Sequence, residues 1–414
     1  MWKWLAAWYA GFAAYAAGVV AFSGLSLDER WGIWVGIGYA VAAVVAFAGS
    51  VAARRSVHGG RLLLAASVGV SVAGVLIAPT MWLVTSEPAT SDVTVVARSG
   101  TLLLHHGTPY LPLAALAHGG WLAYDPYLPV MAIFGLPAAI GVPGDTRPLL
   151  IVVTFLLLYA TFRVMRMHRP AGWAAFAVSC PVMVYPLAMG ITDPPIIALT
   201  CVALALLGRQ RQLWPAAIVV GVACAMKYTA WPALAVIAVL VAGRAGWRAG
   251  LAFGAGAASV AAALVAAFAP AAIAAPDTIV QNTVAYPLGL TSARSSAQSA
   301  LPGHLLATLG PGGHLAAIVL LALSGLATAL SLVIAPPATP ASAAVRIAIG
   351  LTALFALGPA SRWGYLVYPI ALCAWAALDW ARRWERDARL GVLIGAGPFP
   401  GSVGGRWRPG GRSS

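Results

Sequence analysis

Charge is scarce in this sequence: 9% of its 414 residues are Asp, Glu, Lys or Arg, and only 11 are acidic. A soluble domain needs a polar surface, and a chain that is 61% apolar does not supply one, so lipid must cover most of it. Cysteine is sparse as well. Cys180, Cys201, Cys224 and Cys373 lie inside apolar stretches without pairing or metal-ligand spacing, which argues against a disulfide framework and a cysteine metal centre and leaves small core residues. No internal repeat relates the two halves. No nucleic-acid-binding motif accompanies the net charge of +14, so no nucleic-acid partner is expected.

What the sequence has instead is apolar length. A membrane span takes about 20 mainly apolar residues, and such stretches recur near 5–22, 31–53, 61–84, 148–165, 172–190, 194–208, 213–226, 229–243, 249–269, 314–335, 343–358 and 364–379. The expected fold is all-α: a polytopic bundle of about 12 spans forming one domain over residues 1–389, followed by a basic Gly, Pro and Arg-rich tail at 390–414 that reads as disordered. The stretches 194–208, 213–226 and 229–243 are short for lone spans, which suggests shallow or kinked helices packed inside the bundle. Lys3 followed by an apolar run to Phe22 has the outline of a signal peptide, but further spans follow at once and no clear small-x-small cleavage site is offered; an uncleaved first span is expected.

Orientation follows from the short connections rich in Lys and Arg. Arg54, Arg55 and Arg61, then Arg163, Arg166 and Arg169, then Arg209 and Arg211, Arg244 and Arg248, and finally Arg382, Arg383, Arg386 and Arg389 fall on one side, expected to be cytoplasmic. With both termini inside, 19 of the 25 basic residues are cytoplasmic and 8 of the 11 acidic residues are outside. This holds only if the apolar stretch Pro129 to Val142 does not cross, so it is read as re-entrant or interfacial; such backbone is tolerated where it lines a cavity.

Two long connections, about 85–147 and 270–313, then lie on the outer face, and long ordered loops commonly carry function. In the first, Val95, Val96, Leu102, Leu103 and Leu104 fit one or two interfacial amphipathic helices, broken at Gly100 and again at Gly107, Pro109 and Tyr110. Asp92 stands at the start of this stretch, where Ser-Asp is also a good helix-capping sequence. Glu87 and Asp125 read as solvated loop carboxylates. His105, His106 and His118 match no ligand spacing, and no metal or cofactor is expected. Three ionisable residues sit at the outer ends of apolar spans, where charge is costly and suggests function: Asp193 in MGITDPPI, Lys227 in GVACAMKYTAWP and Arg362 in GPASRWGYLVYP. Asp193 also suits a helix cap before Pro194 and Pro195, and Lys227 and Arg362 also suit snorkelling to headgroups. The second loop is Ser-rich and carries Arg294 and His304; it reads as a flexible connector able to fold over a cavity.

In this order of features, over roughly Thr80 to Pro369, the chain resembles the GT-C superfamily of membrane glycosyltransferases, most closely the family 87 members of actinobacteria that use polyprenyl-phosphate mannose. The resemblance rests on Asp92 in the first large loop, on Gly107, Pro109 and Tyr110 after its helices, on Lys227 before Pro232, on LPGHLL and on SRWGYLVYP. The membrane-entering motif departs from the Tyr-Pro-Pro type, reading YDPYLP from Tyr124 to Pro129, and no second carboxylate adjoins Asp92. The resemblance implies an inverting hexosyltransferase, mannose the expected sugar, in the cell membrane with its active face outside the cytoplasm. Its partners would be a polyprenyl-phosphate-sugar donor, a lipid or glycan acceptor and membrane lipid. Asp92 would be the catalytic base, and Lys227, Arg362, Asp193, Arg294, Tyr110, Tyr124, Tyr127 and His304 the substrate-binding set. A secondary transporter or flippase is the competing class, since twelve spans and intramembrane charges suit one; a non-catalytic lipid-binding protein is a third.

Overall fold

The computed structural model describes residues 4–141, 145–209 and 212–393. In chain order its main helices are α1 (Leu5–Phe22), α2 (Ser26–Ala52), α3 (Val57–Ser86), α4 (Ser91–His106), α5 (Arg147–Val164), α6 (Pro170–Val178) and α7 (Pro181–Met189). They continue with α8 (Asp193–Leu207), α9 (Leu213–Met226), α10 (Trp231–Ala245), α11 (Trp247–Phe268), α12 (Pro311–Ile334), α13 (Pro340–Leu357) and α14 (Val367–Leu393). The fold is an all-α polytopic bundle, and the only strand-like pairing among the described residues is one isolated bridge between Gln298 and Ser361. Proline fits this largely by starting helices: α5, α6, α7, α8, α10, α12 and α13 all carry Pro in their first two positions, where a missing N–H costs nothing, while Pro186 lies inside α7.

Nine helices among the described residues are long and apolar enough to cross a membrane. The other three expected spans take different forms. The stretch 172–190 is the pair α6 and α7, bent by 65° at Ser179 and Cys180 ahead of Pro181. The stretches 194–208 and 213–226 are α8 and α9, of 15 and 14 residues. Helix α8 is the centre of the bundle: all fifteen of its residues are buried, and at 1.5 Å per residue it reaches only about 22 Å. The stretch at 229–243 is not short, because a 3-10 turn at Tyr228–Ala230 extends it to 18 residues. On the rim, α12 turns Leu320, Leu323, Leu326 and Leu330 outward, as a lipid-facing helix does.

The segment from Pro129 is too short for a lone span. It is a 3-10 helix, Pro129–Gly135, continuing as one α-turn, Leu136–Ala139, and its eleven residues reach roughly 20 Å, short of the ~30 Å hydrocarbon core. Its far end, with Val142, lies outside the described residues, as do Lys3, Arg211 and the tail from residue 394. The segment lies against α4, which does not break at Gly100. The helix runs on to Gly107, whose left-handed φ of +66° ends it. Gly100 is instead the crossing point: a side-chain carbon there would stand 2.2 Å from the carbonyl carbon of Gly135.

Cations are held at both ends of the bundle; where α14 leaves it, Arg383 pairs with Asp379 at 2.7 Å. At the end where α5, α8 and α10 finish, Arg244 donates to the Leu207 carbonyl (2.8 Å) and Arg382 to the Met165 carbonyl, both at helix C-termini where cations satisfy orphan acceptors and the dipole. At the opposite end, where α4, α8 and α14 begin, cations meet carboxylates.

Candidate functional site

Asp92 is the second residue of α4, yet its side chain does not cap that helix. Its Oδ1 accepts the Tyr127 hydroxyl at 2.5 Å, and its Oδ2 faces Arg362 Nη1 at 3.4 Å. Tyr127 reaches it from just ahead of the segment at Pro129. Burial and the Asp92 carboxylate hold the Tyr127 phenol well above its ordinary value near 10, so it stays a donor. Arg362 reaches it from the chain between α13 and α14, which is extended from Gly358 and pairs with the second long loop: Ser299 N–H donates to the Ser361 carbonyl at 3.0 Å, and Trp363 N–H to the Ser299 hydroxyl at 3.1 Å. Arg362 Nη2 also donates to the Ser296 hydroxyl at 2.6 Å. Burial works against its charge, but Asp92 and the surrounding phenols outweigh burial and raise its pKa above the ordinary value.

Beneath this lies a second pair. Helix α9 ends at Met226, and Lys227 adopts an extended conformation (φ −158°, ψ 141°) before the 3-10 turn that leads to α10. The break directs the ammonium into the bundle, where Nζ sits 2.5 Å from Asp193 Oδ1 and over the rings of Tyr127 and Tyr365, at 5.3 and 5.2 Å from their centroids. Asp193 heads α8 without capping it; its Oδ1 also accepts the Tyr368 hydroxyl at 2.9 Å, and Tyr368 in turn shares a hydrogen bond with Thr229. Leu128 N–H donates to the Met226 carbonyl at 2.9 Å, which fixes the segment at Pro129 to this break.

The two long loops close over these pairs, and Asp125 joins them. Asp125 is not a solvated loop carboxylate: it is buried, with Ser99 of α4 donating to Oδ2 at 2.5 Å and Tyr127 N–H to Oδ1 at 3.0 Å, while its own N–H donates to Asn282 Oδ1 of the second loop at 2.7 Å. Burial pushes its pKa up to about 6, against the pull of Ser99, the Tyr127 N–H and Arg98. Tyr124 stacks on Tyr286 across the same seam, with centroids 4.6 Å apart and planes within 7°. A Ser-rich loop thus becomes an ordered wall. His304 braces it: Nδ1 lies 3.0 Å from the Pro359 carbonyl, and Gly303 before it has no room for a side chain, since the Leu357 oxygen would lie 2.1 Å from its first atom.

The result is an open cleft lined by Asp92, Arg362, Lys227 and Tyr127 and by Tyr124, Tyr286 and Trp121. Of the expected site residues, Asp92, Lys227, Arg362, Tyr124 and Tyr127 line it. Asp193, Tyr110, Arg294 and His304 are not among its lining. Asp193 is sealed beneath, Tyr110 is buried and donates to the Tyr127 carbonyl at 2.8 Å, Arg294 is exposed beside the lining Ser295, and His304 acts on the strand that carries Arg362. His105, His106 and His118 are exposed. Tyr365, Ser296 and Trp121 were not singled out by sequence reasoning, and Asp125 was read as a solvated carboxylate. The crowding of tyrosine and tryptophan around proline in WLAYDPY and RWGYLVYP signals all of these but Ser296.

The family model for glycosyltransferase family 87 matches residues 126–358, more than half of the chain; Tyr127, Asp193 and Lys227 lie inside the matched stretch, and Asp92 and Arg362 outside it. No curated protein and no solved structure matches the chain.

Proposed function

We propose, from the premise that this chain belongs to glycosyltransferase family 87 and is a multi-pass helical membrane protein, that it moves a hexose, mannose in the first instance, from a polyprenyl-phosphate donor to an acceptor hydroxyl with inversion. Family membership sets aside the transporter alternative. The observation that supports the reaction most directly is the Asp92 carboxylate at the cleft, held by the Tyr127 phenol and facing the Arg362 guanidinium.

In this reaction the acceptor oxygen attacks the anomeric carbon from the face opposite the phosphate. The new C–O bond forms as the bond to the phosphate oxygen breaks, and the proton leaves the acceptor hydroxyl. Asp92 takes that proton, and Tyr127 and Arg362 fix the orientation of the carboxylate as a general base requires. The bond-breaking electron pair goes to the phosphate, whose growing charge is met by Arg362 at the cleft surface and by the field of Lys227 below it. Ser296 holds the guanidinium from its other side. The loops that form this end carry few cations, so the positive-inside rule assigns the reaction to the face outside the cytoplasm.

The test is transfer of radiolabelled mannose from polyprenyl-phosphate mannose into membrane lipid or glycan, with the wild type and Asp92→Asn present in equal folded amounts. Loss of a positioned base lowers the rate by about 10²–10⁴-fold. Equal rates would remove Asp92 from catalysis, and no transfer by the wild type with other sugars and acceptors supplied would remove the reaction itself.

A further inference from the structure

The side of the cleft away from the charged pairs is built from unusual parts. Trp121 opens a 3-10 turn, Trp121–Ala123, and lines the cleft with 39% of its surface exposed, where an apolar indole has no contact reason to remain. The turn is held firmly. Arg98 donates to the carbonyls of both Leu122 and Ala123, the latter at 3.1 Å; Gly120 takes a left-handed φ of +62°; and a side-chain atom at Gly119 would fall 2.4 Å from the Ala123 methyl. Arg98 is six residues beyond Asp92 on α4, so the turn is fixed about 9 Å along that helix from the carboxylate. Beside it stands the Tyr124 and Tyr286 stack.

The composition of the lining narrows what this wall receives. Seventeen residues line the cleft, and none is Leu, Ile, Phe or Met; Val95 is the one branched aliphatic. Pro126, Pro287, Ala297 and Ala360 add small apolar surface, and the other twelve supply aromatic faces, serine hydroxyls, phenols and the charged groups already described. A hydrocarbon chain seats itself among branched aliphatic side chains. A pyranose has one apolar C–H face that stacks on an aromatic ring and a rim of hydroxyls that bond to Ser, Tyr and carboxylate.

We propose that this side of the cleft is the acceptor subsite and takes a saccharide, a pyranose ring of the acceptor lying on Trp121 while its hydroxyl reaches Asp92. The acceptor therefore carries sugar at its reacting end, and a bare lipid alcohol does not suffice. The assignment rests on the transferase reading for its chemistry, but not for the binding itself.

The full-length protein in lipid nanodiscs, offered methyl glycosides of gluco-, galacto- and manno-configured disaccharides, tests it by saturation-transfer NMR. At least one disaccharide is expected to bind with its ring protons saturated. Trp121→Ala should weaken that binding by about tenfold, the worth of a lost aromatic face, and Trp121→Phe should retain most of it. In the transfer assay the same Trp121→Ala change should raise KM for the disaccharide and leave KM for the donor unchanged. If no disaccharide binds, or if wild type and Trp121→Ala bind alike, the subsite is wrong and Trp121 is an interfacial anchor. Transfer to a sugar-free long-chain alcohol, with disaccharides neither bound nor used, overturns the subsite and leaves the transferase reading standing. Trp121-dependent binding without transfer from any donor does the reverse.

Discussion

Two carboxylates in this protein each hold a cation and a phenol, and they sit in different surroundings. Asp92 and Arg362 face each other at 3.4 Å with 17% and 29% of their side chains exposed; Asp193 and Lys227 meet at 2.5 Å with 0% and 5% exposed. The first pair is loose and open, so a substrate hydroxyl and a phosphate can enter between its members. The second is tight and closed, and its charges neutralise each other before any substrate arrives. The same residue types therefore make a reactive site in one place and a charged strut in the other, and access of the carboxylate to the cleft separates the two roles.

The comparison is broken most severely at the strut. Asp193→Asn leaves a buried ammonium and Lys227→Met leaves a buried carboxylate, so each alone should cost about 3–5 kcal/mol of stability, while the double variant should recover much of that loss because no uncompensated charge remains. Thermal unfolding in nanodiscs of the two single variants and the double variant measures this. Additive losses would mean that the two groups do not act as a pair.

At the open pair the expectation is reversed. Arg362→Ala should change stability by less than about 1 kcal/mol, as for exposed ion pairs, yet lower the transfer rate by about 10²–10³-fold through loss of a donor to the leaving group. Arg362→Lys should restore only part of the rate, since an ammonium does not bridge Asp92 and Ser296 as a planar fork does. A large drop in melting temperature with little change in rate would make Arg362 a strut too. A smaller effect belongs to Tyr127→Phe. Removing one hydrogen bond to a charged group is worth about 1.5 kcal/mol, or roughly tenfold in rate, and it should appear in kcat and not in donor KM.

Much of this was legible in the sequence because charge is so rare there. Asp193, Lys227 and Arg362 stood out against apolar spans, and the shortness of 194–208 marked the buried helix at the centre, whereas the similarly short 213–226 turns Trp214 and Ile218 outward. The pairing was not legible. Asp193 and Lys227 are 34 residues apart and Asp92 and Arg362 are 270 apart, and only the packing of α4, α8, α9 and α14 brings them together. Nor was the break at Gly100 readable as a crossing point, because a glycine that ends a helix and a glycine that admits another backbone look alike in one dimension. The Ser-rich loop read as a flexible connector for a related reason: its order comes from the chain at 358–362 and from Asp125 and Tyr124, which meet its Asn282 and Tyr286, all partners outside its own composition.

Asp125 extends the comparison to a third carboxylate, sealed like Asp193 but with no cation bonded to it. Arg98 lies near enough to act on it electrostatically but spends its hydrogen bonds on the Leu122 and Ala123 carbonyls. Its pKa is therefore raised, from the ordinary 3.8 to about 6, where a paired carboxylate would be lowered. The sign follows: between about pH 4 and pH 6 the folded protein keeps a proton that the unfolded chain has released, so stability falls as pH rises through that window. Asp125→Asn cannot ionise; its single carbonyl oxygen can still accept from the Tyr127 N–H, and its amide nitrogen then donates to the Ser99 hydroxyl in place of the hydrogen bond that Oδ2 accepted. The melting temperatures of variant and wild type should converge near pH 4 and separate by pH 7 with the variant higher, while the transfer rate, which Asp125 influences only through the placement of Tyr127, stays near that of the wild type. Parallel melting curves across the window would mean that the charge on Asp125 is compensated in the folded state after all, and would leave access to the cleft as the only property separating the carboxylates.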